Sequence, residues 1–308
     1  MNLGKENYRM KLNYKQKNKI AGYIFLLPSA AFLVCFLLYP FCVSVFRSFT
    51  DWNGLKDEVT FVGVKNYVDL ITNNPDYWRS IGVNLKFAVV STLIQTVLGF
   101  LLAFAVYYMG KRWQAFYKVS LYIPVILPAS VVAVMWRFML NPDTGLVNTV
   151  LRMLHLDSLT RAWLGDRATA LNTIIAVNTW QYIGFTMVLF YIAMQNISLD
   201  VLESAAIDGA TKWDLLVKFF LPLTAGTTTT NVVLSITGGM KSFGLFYMLT
   251  GGGPGDVTRV VSVRIYTTAF TDYKFFRALA MASVLFVIIL ILTLISRYIG
   301  SKCNYEEQ

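Results

Sequence analysis

Acidic residues, histidine and cysteine are all scarce in this chain. Asp and Glu number 17 among 308 residues, with one histidine and three cysteines. Cys35 and Cys42 lie seven positions apart in an apolar stretch. On a helix that separates them by roughly 10 Å, too far to bridge without bending it. With Cys303 remote in sequence, no disulfide framework follows. His155 has no Cys or His near it at ligand spacing, which argues against a zinc site and leaves it a loop residue. Charged residues of both signs make up only 14% of the chain. That is too little polar surface for a soluble fold, since 56% of the residues are apolar and the mean hydropathy is +0.54. A membrane protein is expected. The 27 Lys and Arg form no basic stripe on a soluble element, so nucleic acid is not implied as a partner. The positive charge reads as orientation and contact with membrane lipid.

What is abundant is apolar sequence in long runs. Segments at about 20–46, 81–108, 119–140, 170–194, 221–240 and 278–298 are each long enough to cross a hydrocarbon core of roughly 30 Å. The expected fold is an all-α integral membrane protein with six transmembrane helices. A basic tail (1–19) precedes the membrane domain (20–298), and a short tail (299–308) follows it. The fifth segment is the least regular, opening at Pro222 and running into Gly238 and Gly239. Pro28, Pro40, Pro124 and Pro128 are expected to kink or start spans. Trp52, Trp78, Trp136 and Trp163 suit interfacial belts. The first segment follows Lys15, Lys17 and Lys19, as in a signal peptide, but its charge-free run from Ile20 to Phe46 exceeds a secretory h-region of about 7 to 15 residues.

Orientation rests on the basic tail (Lys5, Arg9, Lys11, Lys15, Lys17, Lys19) and on Lys111, Arg112 and Lys118 after the second span. Both are expected on the cytoplasmic side. Six spans then place both termini inside, with outside loops at about 47–80, 141–169 and 241–277. Within the spans there is no Asp or Glu, and Lys86, Arg137 and Arg297 lie within snorkelling reach of span ends. A proton- or sodium-coupled carrier ordinarily needs a carboxylate near the midplane. A phosphate-cradling loop is missing too. Gly110 and Lys111 are followed by Arg112, and Gly251 to Gly255 lack the lysine. Uphill movement would draw on nucleotide hydrolysed by another chain.

The inside loop between the fourth and fifth segments, Gln195 to Phe220, carries the strongest local signals. Asp200 with Glu203 matches a capping box opening a short helix, Gly209 suits a left-handed helix end, and Thr211 with Asp214 matches a second box. A helix, a glycine turn and a helix are expected. Ala205 and Ala206 would offer a small-residue surface, with carboxylates of Glu203 and Asp208 at its ends.

Glu203, Ser204, Ala205, Ala206, Ile207, Asp208, Gly209 and Ala210, followed by Phe219, Phe220, Leu221 and Pro222, resemble the cytoplasmic loop of the membrane subunits of bacterial binding-protein-dependent ABC importers. Ser204 stands where a second alanine is common, and Phe219 where isoleucine is. Three further stretches resemble the carbohydrate branch of that family, of the maltose, glycerol-phosphate and oligosaccharide kind. They are Tyr39 and Pro40 through Ser48, Phe49, Thr50, Asp51 and Trp52; Phe61, Gly63, Asn66 and Tyr67; and Thr250 to Gly255 with Pro254, leading to Tyr266 and Phe270. The resemblance implies a type I importer permease fold in the bacterial inner (cytoplasmic) membrane. It implies a second, dissimilar permease subunit, two ATPase subunits that hold the ATP and Mg, and an extracellular solute-binding protein. This chain would then be non-catalytic and carry no cofactor. Glu203, Ser204, Ala205, Ala206, Asp208, Gly209, Ala210 and Pro222 are the positions it marks for coupling to the ATPase.

Gln181, Tyr182 and Phe185, and Ser235, Gly239 and Ser242, each share one helical face. By their spacing from Asn178, Trp180, Pro222 and Pro254 they also resemble positions lining the sugar path in the maltose branch. Amide and hydroxyl groups suit sugar hydroxyls, and rings suit their C–H faces; alternatively such residues serve helix packing. The segment from Val257 to Phe276 mixes Arg259, Arg264, Asp272 and Lys274 with Tyr266 and Phe270, and reads as an outer amphipathic element able to meet the binding protein. Sugar import leads; a non-sugar solute such as glycerol phosphate, or a stand-alone channel or secondary carrier, is the alternative. An intramembrane enzyme has no buried carboxylate, paired histidine or base beside a nucleophile to work with.

Overall fold

The computed structural model describes residues 14–54 and 59–303. The expectations for the tails at 1–13 and 304–308 lie outside them, as do the side chains of Lys15, Lys17 and Cys303. Among the described residues there is no sheet, only an isolated bridge between Thr50 and Phe61. The first span is α1 (Tyr14–Leu33), a π-turn at Val34–Leu38, and α2 (Tyr39–Arg47). Short α3 (Lys65–Thr72) leads into α4 (Pro75–Tyr107), the long second span. Next come α5 (Lys111–Ile126), α6 (Ala129–Met139) and α7 (Leu146–Met153), then α8 (Ala170–Gln195). The loop after α8 holds α9 (Leu199–Ile207) and α10 (Lys212–Asp214), and passes through a π-turn into α11 (Leu221–Leu223) and α12 (Ala225–Met240). At the opposite end lie α13 (Gly244–Thr250) and α14 (Val261–Phe270), before α15 (Phe275–Cys303) returns as the last span.

Two expected spans are not straight. The third breaks between α5 and α6 with a bend of 99°, and the fifth breaks between α11 and α12 with a bend of 65°. Among the described residues four helices are long and apolar enough to cross a membrane, and six result when each bent pair counts as one span. The first break follows from Pro128, which forces Leu127 into an extended conformation (ψ 132°) and ends the ladder. At 16 residues, α5 is only about 24 Å long and cannot span alone. At the second break Thr224 is fully buried and its hydroxyl donates to the Phe220 carbonyl (2.8 Å). Thr228, Thr229 and Thr230 repeat that back-bonding to the carbonyls four residues earlier, which spares their hydroxyls an unpaired position in the span.

The core of the bundle is α4 against α8, with α5 and α12 closing around them. Close approach is set by small residues: a Cβ on Gly184 would fall 1.8 Å from the Leu121 carbonyl oxygen, so α5 and α8 touch backbone to backbone. Phe87 meets Phe246 edge-on at 4.7 Å toward one end of the bundle, and Phe100 meets Phe190 at 5.4 Å toward the other. The first span is the exception. Over Gly22–Arg47 none of its most apolar stretch is buried; α2 leans on α15 through Phe41 and Phe286, 5.0 Å apart. The rest of that face is left for lipid or another subunit.

The outer connections are pinned by buried amides. Asn66 donates to the carbonyls of Ser48 and Thr50, both at 2.8 Å, closing the loop after the first span onto α3. Asn84, with no exposed surface, donates to the Gly239 carbonyl (3.0 Å) and accepts from the Val261 N–H (2.7 Å). One side chain thereby satisfies the end of α12 and the start of α14. Asn84→Leu strands the Val261 N–H, whereas the Gly239 carbonyl keeps the Ser242 N–H (3.2 Å); the one unpaired group costs about 1–3 kcal/mol. A clear fall in the melting temperature of the detergent-purified protein is expected, and an unchanged one would contradict this role.

Candidate functional site

Two features stand out, a largely apolar cavity within the bundle that carries a few neutral polar side chains, and the loop at one end of it. The cavity holds about 460 Å³ and opens among α4, α5, α8, α12 and α13, a size suited to a small ligand. Gln181, Tyr182 and Phe185 reach it from α8; Ser235 and Gly239 reach it from α12, with Ser242 just beyond. All six residues singled out for the path are thus on one wall system. Two of them also do structural work. The Gln181 amide is almost fully buried and donates to the Leu127 carbonyl (3.1 Å), the group freed by the α5–α6 break. Gly239 lets α12 pass α4, since a Cβ there would stand 2.9 Å from that of Ala88.

Sequence reasoning missed part of the lining. Gln95 on α4 donates to the Asn178 side-chain oxygen (2.9 Å), and both face the cavity. Beside them Thr186 donates to Asn231, whose amide donates to Thr96 (3.1 and 2.9 Å). A signal for these was present. Asn178 lies one turn before Gln181 and Tyr182, Asn231 lies one turn before Ser235, and Gln95 is a polar interruption of an apolar span. No Asp, Glu, Lys, Arg or His is among the lining residues. The chemistry on offer is neutral hydrogen bonding beside aromatic rings from Phe87, Tyr122, Tyr182, Phe185 and Phe243.

The loop has the helix–turn–helix form. Gly209 takes the left-handed conformation (φ +81°). The Ala210 N–H reaches the Ala205 carbonyl (2.9 Å) and the Gly209 N–H reaches that of Ala206 (3.1 Å), the two bonds of a Schellman turn. The second capping box is present between Thr211 and Asp214. Lys218 pairs with Asp214 at 2.7 Å. Lys218, together with the Thr211 hydroxyl and N–H, holds the Asp214 carboxyl well below the usual carboxylate range. The cap's contribution is full above the ordinary carboxylate value and disappears only as pH falls through the lowered one.

The first capping box is not there. The N-cap of α9 is Ser198, which makes no side-chain capping bond, so the helix starts before Asp200, and Asp200 instead sits in the first turn, where its charge favours the dipole. The alanine surface also needs correction. Ala205 is buried, 4% exposed, in a cluster with Met187, Met194, Leu215, Leu216 and Phe220, so it fastens the loop to the bundle. Glu203, Ser204, Ala206, Asp208 and Gly209 are exposed, Ala210 is partly covered, and Pro222 lies outside the knob at the start of α11. The knob carries apolar residues not singled out beforehand: Ile207 is 86% exposed and Trp213 70%.

A bundle of long apolar helices around an uncharged cavity, with a capped helix–turn–helix loop at one end, fits a membrane transport subunit. The family model for binding-protein-dependent transport system inner membrane components matches residues 95–304. The chain belongs to that family and is an ABC transporter permease. The probable ABC transporter permease protein YurN of Bacillus subtilis (strain 168) is 37% identical over 279 residues, covering 90% of this chain and 95% of that one. The probable starch degradation products transport system permease protein AmyD of Thermoanaerobacterium thermosulfurigenes is 30% identical over 295 residues, covering 94% and 97%. A chain of a bacterial ABC transporter importing the acidic polysaccharide alginate shares the fold, with a TM-score of 0.82, 23% identity and coverage of 94% and 98%.

Space around Gly209 is open, so its constraint is backbone conformation alone. Gly209→Ala should therefore cost about 1–2 kcal/mol locally. Hydrogen exchange of the Ala210 amide should accelerate at least about fivefold; an unchanged rate would show that the turn tolerates a side chain.

Proposed function

We propose that this chain is one of two dissimilar permease subunits that together form the path of a neutral sugar or oligosaccharide, delivered by an extracellular solute-binding protein. The observation that carries the substrate class is the cavity: amides and hydroxyls of Gln95, Asn178, Gln181 and Ser235 beside aromatic rings, with no charged lining. An anionic solute such as glycerol phosphate would find no cation among these lining residues to offset its desolvation. Kinship with a protein named for starch degradation products supports the carbohydrate reading.

The nucleotide chemistry belongs to two separate ATPase subunits holding ATP and Mg. The knob of Glu203, Ser204, Ala206, Ile207, Asp208 and Gly209 is the handle by which they move this chain. Ala205 and Ala210 act from the inner side, and Pro222 sits where that handle joins the fifth span. Because Ala205, Leu215, Leu216 and Phe220 lie in one buried cluster with α4 and α8 residues, a push on the knob reaches the cavity-bearing helices as a rigid-body motion. This reading places the loop and both termini in the cytoplasm.

The test is uptake into proteoliposomes by the complete complex. Neutral oligosaccharides should enter only with ATP, the ATPase and the binding protein, and uronic or phosphorylated analogues in excess should not compete. Transport by this chain alone, or preference for the anions, would overturn the proposal. In the same assay Gly209→Pro, which fixes φ near −65° and removes the bonded N–H, should cut uptake at least about tenfold while the protein still inserts. Glu203→Lys should act in the same direction.

A further inference from the structure

An aromatic strip leaves the cavity on the side away from the ATPase-facing loop. Phe243 lines the cavity and stacks on Tyr247, centroids 5.1 Å apart and planes 16° from parallel. Tyr266 of α14 lies 5.3 Å from Phe243 and 5.1 Å from Tyr247. Phe270, one turn further along α14, lies 5.1 Å from Tyr266. Phe243, Tyr247 and Tyr266 thus form one mutually touching cluster at the cavity wall, and Phe270 extends it along α14.

These rings are not core. Tyr247, Tyr266 and Phe270 are 39%, 36% and 58% exposed, whereas Leu245, Phe246, Val263 and Ala269 of the same two helices are buried. The outward face of α13 and α14 is thus aromatic where a lipid-facing surface would be satisfied by aliphatic residues. The strip is braced from behind, with Phe275 5.5 Å from Phe270 and Trp52 5.7 Å from Phe275. Its inner end is held by the Ser262 hydroxyl, which donates to the Ser242 carbonyl at the cavity rim. Rigid, half-exposed rings with tyrosine hydroxyls at their edges offer stacking and hydrogen bonding to successive sugar units.

We propose that Phe243, Tyr247, Tyr266 and Phe270 form a second carbohydrate-binding element, a stacking track that receives the outer units of a neutral oligosaccharide and leads them into the cavity. The proposal rests on the neutral-sugar reading above. Continuity with the cavity wall through Phe243 is what assigns the occupant. A chain occupying both would contact the strip only when it is longer than the cavity holds, so the strip acts on chain length.

The test uses the complete complex in proteoliposomes with neutral mono-, di-, tetra- and hexasaccharides. Phe270→Ala and Phe270→Leu should both raise KM for the longer substrates by about three- to tenfold, the effect of one lost ring contact. KM for the shortest substrate should change little, and Phe270→Trp should restore affinity for the longer ones. Tyr266→Ala should repeat the pattern. If Phe270→Leu behaves as the wild type, apolar packing rather than ring stacking explains the strip and the proposal falls. Loss of the second permease subunit from the Phe270→Ala complex would equally overturn it, by showing that protein covers the strip. If the wild type takes up no carbohydrate, the neutral-sugar reading fails and the track with it. A wild type that transports sugars while no variant depends on chain length removes the track alone.

Discussion

Hydrocarbon offers no hydrogen bonds, and this bundle departs from regular helix in several places. Each departure leaves backbone groups that some side chain has to satisfy. The Leu127 carbonyl is taken by Gln181 and the end of α12 by Asn84. At the Thr224 bend, the Thr224 hydroxyl adds a second bond to the Phe220 carbonyl, which already accepts the Thr224 N–H. Those pins let short, bent helices survive where straight ones would be the default. The bends in turn open the cavity, because α5 and α6 could not otherwise diverge beside α8 and α12.

The same side chains belong to two economies at once. Gln181 holds a bend and faces the cavity; Gly239 gives α4 room and forms part of the wall. A ligand that engages Gln181 therefore touches the element that shapes its own binding site. At the other end, Ala205 is the inner anchor of the loop. Buried in the cluster with Leu215, Leu216 and Phe220, it packs the knob against residues of α4 and α8. Exposed apolar surface at Ile207 and Trp213 is costly in water and suits a partner's socket.

Local features were legible in the sequence and long-range ones were not. Gly209 was readable because few residues other than glycine end a helix in the left-handed region, and the Thr211–Asp214 box because its partners are three residues apart. The six-span pattern was readable from apolar length. The 99° bend was not: Pro128 announces a break, but its angle depends on an acceptor claimed from 54 residues away. Asn84 was silent because the N–H it accepts from lies 177 residues on. The start of α9 was misplaced because an Asp200–Glu203 pattern also fits a first turn opened by Ser198. The alanine pair Ala205–Ala206 does not disclose from sequence which member faces the bundle; the structure buries Ala205.

The central claim is that the cavity bounded by α4, α8 and α12 is a path opened and closed by the end loop. The direct measurement is thiol accessibility at Ser235→Cys in the assembled complex, with Cys35, Cys42 and Cys303 replaced by serine. A membrane-impermeant thiol reagent applied from the binding-protein side should label it only when ATP drives the cycle, and a transported neutral oligosaccharide should slow that labelling. Labelling that is indifferent to both ATP and sugar would contradict the account.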